Sequence, residues 1–298
     1  MKPKNKPNLC YVTFKKGTST DKILKEKLGE KFTLNNCRIS DLALTITKGE
    51  TTVKVKGLDC SLYDAVFIRI PKNFYQNINP IAKQIPLDVI FPQGRRGFEI
   101  ISSKLSLIQA LARRKIDVPN IIFAEDVERV ANNLKGVRFP VLLRVPTDKK
   151  KVMLANSIQE VASMMDALKV LEQPIYIEEY HPEANRLSLY VVGDEVVAAT
   201  KTKTEKLDYQ GETTNYGPRD NEKKLALDVA SVLRTSLVRV DMLDKPQIVV
   251  DVNLCPYLED VKKITKVDIF DKISSLFAEK TGTPKEGLED EKEDKASS

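Results

Sequence analysis

Leu237-Val-Arg-Val-Asp-Met-Leu243, then Asp244-Lys-Pro246, then Gln247-Ile-Val-Val-Asp-Val-Asn253: the reading of the whole chain turns on this stretch. Two apolar-rich runs flank a turn-competent Asp-Lys-Pro, which predicts a β-hairpin. With Leu243 paired to Gln247, Asp241 faces Val249 and Arg239 faces Asp251. Side chains alternate along a strand, so Asp241, Asp251 and Asn253 share one face, and Val240, Met242, Val250 and Val252 share an apolar face suited to a core. The diagonal from Asp241 to Asp251 is then roughly 7 Å, within reach of a shared pair of hard cations. Two carboxylates and an amide oxygen are the ligand type Mg²⁺ takes. The same residues also admit a plainer reading, in which Arg239 and Asp251 form a cross-strand ion pair and Asp241 is a solvated face residue.

Working outward, Leu187–Val192 and Glu195–Thr200 form a second predicted hairpin around Gly193-Asp194. A polar loop, 201–221, leads to an amphipathic helix over Lys224–Leu233. Upstream, Ile175–Glu179 and Phe139–Val145 read as strands. Ser157-Ile-Gln-Glu160 is a capping box opening a helix with Val161, Met164, Met165 and Leu168 on one face. Ser102 or Ser103 caps a helix through Arg114. Nearer the N-terminus, Leu9–Phe14 is strand-like, Thr20–Leu28 is a helix capped by Ser19 or Thr20, and Leu42–Thr47, Thr52–Val55 and Ala65–Ile70 are extended.

Composition narrows the function classes. The chain has 298 residues, 42% hydrophobic and 30% charged, a globular balance that supports a sizeable core. No apolar run is long enough to span a bilayer, and Met1–Pro7 is polar and basic rather than a secretory signal, so a cytoplasmic protein with no membrane partner is expected. Four scattered cysteines and one histidine, His181, argue against structural zinc and for reduced, mostly buried thiols. A net charge of +6 is below what a dedicated nucleic-acid binder carries.

The order of short motifs then matters more than any one of them. From about Tyr63 to Lys280 the chain resembles the RimK-like ATP-grasp family. Asp64-Ala-Val-Phe-Ile-Arg-Ile70 resembles the strand that closes the family's first subdomain. Ser103-Lys104-Leu105 with Asp117-Val-Pro119, Phe139-Pro-Val-Leu-Leu-Arg144 and Ile177-Glu-Glu-Tyr180 follow in the family's order. Asn185-Arg186 with Val191-Val-Gly-Asp-Glu-Val-Val-Ala-Ala199, Val240-Asp-Met242, and Val250-Asp-Val-Asn253 with Pro256 complete the series.

That resemblance implies an α/β (α+β) ATP-grasp fold. Residues 1–99 would form an N-terminal α/β pre-ATP-grasp domain, and 100–280 an ATP-grasp domain with a lid at about 120–180 and a C-terminal antiparallel sheet. The charged segment 281–298 is expected to be a disordered tail. The resemblance also implies an ATP- and Mg²⁺-dependent (or Mn²⁺-dependent) ligase that joins an amine, an amino acid, to a carboxylate through an acyl phosphate. Lys104, Arg144, Glu178 and Glu179 would bind the nucleotide; Arg186, Lys203 and Asn215 would serve the chemistry; Asp241, Asp251 and Asn253 would hold two metal ions. The acceptor would be a small molecule or a protein-tail carboxylate, and a homo-oligomer is left open. Departures from the family pattern define the alternatives: Arg144 replaces lysine, Arg239 a small residue, Asp251 a glutamate, and Pro146–Lys151 lacks the glycines of a phosphate-covering loop. They allow an inactive nucleotide-binding regulatory module, or an interaction scaffold that keeps only the fold.

Overall fold

The computed structural model describes residues 6–124, 133–134, 136–144, 152–168 and 175–282. The chain begins β1 (Asn8–Thr13), α1 (Ser19–Gly29) and β2 (Thr33–Arg38), followed by β3 (Leu42–Thr47), β4 (Glu50–Val55), β5 (Leu58–Asp59) and β6 (Ala65–Arg69). β1 lies between β2 and β6 in a parallel sheet. A strand covered on both faces reads as a continuous apolar run: Leu9 and Tyr11 enter one core cluster, Cys10 and Val12 another. The strands β3, β4 and β5 form a separate antiparallel sheet. The cap of α1 falls one residue earlier than the sequence suggests. Thr18 and Asp21 form a capping box, whereas Thr20 is buried and its hydroxyl accepts from the Leu258 N–H at 3.2 Å.

Three helices follow, α2 (Tyr75–Lys83), α3 (Gly97–Ile100) and α4 (Lys104–Arg113). Ser103 caps α4 by accepting from the Ser106 N–H at 3.0 Å. A four-stranded antiparallel sheet, ordered β7-β10-β8-β9, comes next: β7 (Ile121–Ala124), β8 (Val141–Arg144), β9 (Val152–Ala155), then α5 (Ile158–Leu168) and β10 (Ile175–Glu179). Val161 and Met165 of α5 pack on Val141, Leu143, Ile175 and Ile177 in one core cluster. The glycine-free stretch Pro146–Lys151 and the segment 283–298 of the expected tail lie outside the described residues.

The C-terminal part is a five-stranded antiparallel sheet, β13-β12-β11-β14-β15. Its elements are β11 (Arg186–Val192), β12 (Glu195–Thr202), β13 (Thr213–Asn215), α6 (Asp220–Leu233), β14 (Leu237–Leu243) and β15 (Val249–Asn253), followed by α7 (Glu259–Thr265) and α8 (Ile269–Gly282). Gly193 turns the β11–β12 hairpin at φ +68°, a left-handed conformation that glycine adopts without steric cost. The stretch read as a polar loop thus contributes a short strand, and the helix after it starts at Asp220. Val238, Val240, Met242, Val249 and Val252 share a core cluster with Val12, Val66 and Ile68 of the N-terminal sheet. Among the described residues, no helix is long and apolar enough to cross a membrane.

The decisive hairpin forms, with a corrected register. Asp241 pairs directly with Asp251 and Arg239 with Asn253, and a bulge between Asp241 and Met242 brings Met242 opposite Val249. The extra residue inverts parity beyond it: Val249 joins the core face of Val240, Met242 and Val252, while Val250 leaves that face for a second core cluster, with Tyr209 and Leu243, that borders the cleft. Arg239 therefore does not face Asp251 across the ladder. The shared face of Asp241, Asp251 and Asn253 survives, because directly paired residues project to the same side of a sheet.

Candidate nucleotide-binding cleft

A cleft of about 700 Å³ opens between the β8/β10 sheet and the polar end of the β11/β14/β15 sheet. Strand alternation determines who lines it. Tyr176 and Glu178 of β10 face the cleft, while Ile175 and Ile177 face α5. On the opposite wall, Ser188 pairs with Asp241 and Arg186 with Leu243, which carries Arg186, Arg239, Asp241 and Asp251 to one side. Lys72 enters from the turn after β6, and Lys104 from the first residue of α4.

Five cationic side chains line this space (Lys72, Lys104, Arg144, Arg186 and Arg239) against four carboxylates, Glu178, Asp208, Asp241 and Asp251. Glu178, 1% exposed, accepts from Lys104 Nζ on one oxygen and from Arg144 Nε on the other, both at 2.6 Å. Burial alone would push the Glu178 carboxyl up; the Lys104 and Arg144 charges outweigh it and hold the group below the usual carboxylate range. Arg144 also donates to Asp208 at 2.6 Å. Asp208 and Tyr209 are both left-handed, at φ +64° and +56°, a conformation that costs non-glycine residues energy and persists only when the surroundings hold it. Here the Arg144–Asp208 pair holds one residue. The burial of Tyr209, whose hydroxyl accepts from the His181 N–H at 3.2 Å, holds the other.

On the facing wall, Asp241 accepts from Ser188 Oγ at 2.6 Å and from Arg239 Nη2 at 2.7 Å. Lys72 Nζ contacts Asp251 Oδ1 and donates to the Val252 carbonyl at 2.9 Å. Desolvation would raise the Asp251 carboxyl, yet the charges of Lys72 and Lys104 bring it down to about 2. Arg186 Nε and Arg239 Nε are buried and make no hydrogen bond among the described residues. Buried unpaired donors are uncommon, and two of them on guanidinium groups lining one cleft suit an anionic ligand.

A profile of the RimK-like ATP-grasp domain matches residues 101–277. The chain belongs to the RimK-like ATP-grasp family. Ligases of this family form C–N bonds, and two curated relatives bear ligase names. One, a ribosomal protein bS6–L-glutamate ligase of Escherichia fergusonii, is 29% identical over 260 residues, 72% of this chain and 86% of that protein. The other, a probable alpha-L-glutamate ligase of Thioalkalivibrio sulfidiphilus, is 26% identical over 255 residues, 81% of this chain and 84% of the relative. The fold matches a solved ATP-grasp ligase, PsnB, complexed with a phosphomimetic variant of its minimal precursor, Mg and ADP. The TM-score is 0.70 at 13% identity, covering 93% of this chain and all of the other.

The residues singled out by the RimK-like resemblance divide into two groups. Lys104, Arg144, Glu178, Arg186, Asp241 and Asp251 line the cleft; Glu179, Lys203, Asn215 and Asn253 are not among its lining residues. Glu179 lies on the opposite face of β10 from Glu178, where it accepts from Asn120 Nδ2 at 2.7 Å and sits 3.3 Å from His181 Nε2. Lys203 and Asn215 are exposed, one just past β12 and the other on the edge strand β13. Asn253 Oδ1 accepts from the Tyr75 hydroxyl at 2.9 Å and the Cys255 N–H at 2.8 Å. Lys72 and Asp208 were not singled out by the sequence reading. Both sit in turns whose approach to the cleft depends on contacts distant in the chain.

The donor chemistry of Asp241, Asp251 and Asn253 is right for Mg²⁺, an oxygen-seeking ion, but their arrangement is not. Arg239 and Ser188 engage the two oxygens of Asp241, Lys72 engages Asp251, and Asn253 Oδ1 is bound inside the protein. A dication at bonding distance from either carboxylate would stand about 4 Å from a fixed chain cation, a repulsion on the order of several kcal/mol even at an effective dielectric of about 20. The residues as arranged do not fit the metal.

Proposed function

We propose that this chain binds ATP in the cleft and uses it to join an amine to a carboxylate. The γ-phosphoryl group passes to a carboxylate oxygen, giving an acyl phosphate and ADP. The amine nitrogen then attacks the acyl carbon and expels phosphate. Phosphoryl transfer of this kind depends on positioning and charge neutralisation. The observation that carries the reading is the convergence of five cationic side chains on one cleft, two with a buried, unpaired guanidinium Nε. Lys104 and Arg144, aligned by Glu178, would take the polyphosphate; Arg186 and Arg239 would face the phosphoryl group in transit. The names of the relatives make L-glutamate the first amine to try, with a protein or peptide carboxylate as acceptor. The start of the family match at residue 101 supports a boundary between an N-terminal unit, 1–99, and an ATP-grasp unit, 100–280; within the latter, about 120–180 would serve as the lid. A cytoplasmic location, where ATP is supplied, goes with this reading.

The test is ADP release from ATP in the presence of candidate amino acids and acceptor peptides, beside a direct measurement of ATP binding. ADP release that requires both co-substrates supports ligation. ATP binding without release would instead support a regulatory nucleotide module, the reading favoured by the cations seated on Asp241 and Asp251. Failure to bind ATP would leave only a scaffold. Within this scheme, Lys104→Ala is expected to weaken ATP binding roughly 10- to 100-fold, the worth of one charge-assisted contact. Calorimetric titration would read the effect, and an unaltered affinity in the folded variant would remove Lys104 from the site.

A further inference from the structure

The two facing carboxylates of the second wall are each held by a cation of the chain. Asp241 and Asp251 are directly opposed in the β14–β15 ladder. Like charges so placed destabilise a sheet unless something neutralises them. Two cations of the chain do so from different directions. Arg239 lies two residues before Asp241 on the same strand and donates to it at 2.7 Å. Lys72 reaches in from the turn after β6, contacts Asp251 and is anchored by the Val252 carbonyl at 2.9 Å. The side chain of Asp241 is 3% exposed and that of Arg239 24%, so solvent screens this pair little. At neutral pH the four side chains carry no net charge.

We infer that Lys72 and Arg239 occupy the place of a divalent ion at the Asp241–Asp251 pair, so that this wall of the cleft excludes free metal ions. An ion arriving at either carboxylate meets a cation already hydrogen-bonded there. An ion that enters together with a nucleotide would have to displace one of the two side chains. This inference concerns the empty protein and does not depend on the ligase reading.

The probe is Mn²⁺ alone, titrated against the full chain and followed by the electron paramagnetic resonance signal of the free ion. Wild-type protein should leave the millimolar signal unchanged. The double variant Lys72→Met/Arg239→Gly should take up Mn²⁺ at least about tenfold more tightly, and adding Asp251→Asn to it should abolish that uptake. Two results overturn the inference: Mn²⁺ uptake by wild type that Asp251→Asn removes, or a folded double variant that gains no uptake. Should the double variant not fold, Lys72→Met alone decides, because the loss of Lys72 leaves the Arg239–Asp241 pair intact; no gain there also overturns the inference. ATP binding, measured separately without metal, reports on the ligase reading, so the two can fail independently.

Discussion

Arg186→Ala is expected to slow amine-dependent ADP release about 10²- to 10³-fold, the usual cost of removing one preorganised donor from a developing charge. The guanidinium lines the cleft from the first residue of β11, its Nε buried and without a partner. Among the described residues its hydrogen bond to Thr202 Oγ1 is long, at 3.5 Å. A side chain so weakly tied to its own fold contributes little to stability, and the variant should unfold within about 1 kcal/mol of wild type. Its effect should fall on the rate constant more than on the apparent ATP affinity, since Lys104 and Arg144 remain to hold the polyphosphate. Arg186→Lys keeps a charge but not the planar fork of donors, and should recover only part of the rate. Equal rates for wild type and Arg186→Ala would take Arg186 out of the chemistry.

The contrast between Arg186 and Lys72 shows what a sequence exposes and what it hides. Arg186 opens a strand that pairs with β14 in unbroken register, so alternation alone fixes its face once the strand is recognised. The same parity placed Asp241 and Asp251 on one face. It missed only the face of Val250, which is buried as expected but in a different cluster from Val240 and Val252, because the bulge after Asp241 adds a residue that no local pattern announces. Lys72 is 179 residues from Asp251; their meeting depends on how the N-terminal sheet docks against the C-terminal one, through a cluster shared by Val12, Ile68, Val240 and Val252. Asp208 and Tyr209 hide for another reason. Their positive φ angles are imposed by Arg144 and by the burial of Tyr209, against ordinary residue preference. Glu179 shows the converse: adjacent to Glu178 in sequence, it belongs to the other face of the strand and to a different set of partners.

Docking of the two sheets also depends on one buried carboxylate, and Asp21→Ala is expected to cost about 3–5 kcal/mol, the range for removing one partner of a buried ion pair. Asp21 Oδ1 accepts from Arg69 Nε and from the Tyr11 hydroxyl, each at 2.9 Å. Its Oδ2 accepts from the Thr18 N–H at 2.6 Å and the Thr18 hydroxyl at 2.8 Å, closing the cap of α1. The Arg69 and Asp21 side chains are only 6% and 7% exposed. Arg69 continues the chain of contacts, donating to the Pro256 carbonyl at 2.9 Å, three residues beyond the end of β15. Removing the carboxylate therefore strands a buried guanidinium at the seam between the N-terminal unit and the strand that carries Asp251. Desolvation raises the Asp21 carboxyl, but the Arg69 charge and the hydrogen bonds from Thr18 and Tyr11 outweigh it and hold the group below its usual value. A depressed folded value means the stabilisation is full above the unfolded carboxylate value of about 3.9 and is lost as pH falls through the folded one. The penalty of Asp21→Ala should accordingly be largest near neutrality and shrink as the wild-type carboxylate becomes protonated. Urea unfolding of both proteins at neutral pH and near pH 3 would measure this. A penalty below about 1 kcal/mol at neutral pH, or one equally large at both pH values, would show that the Asp21–Arg69 pair does not hold the seam.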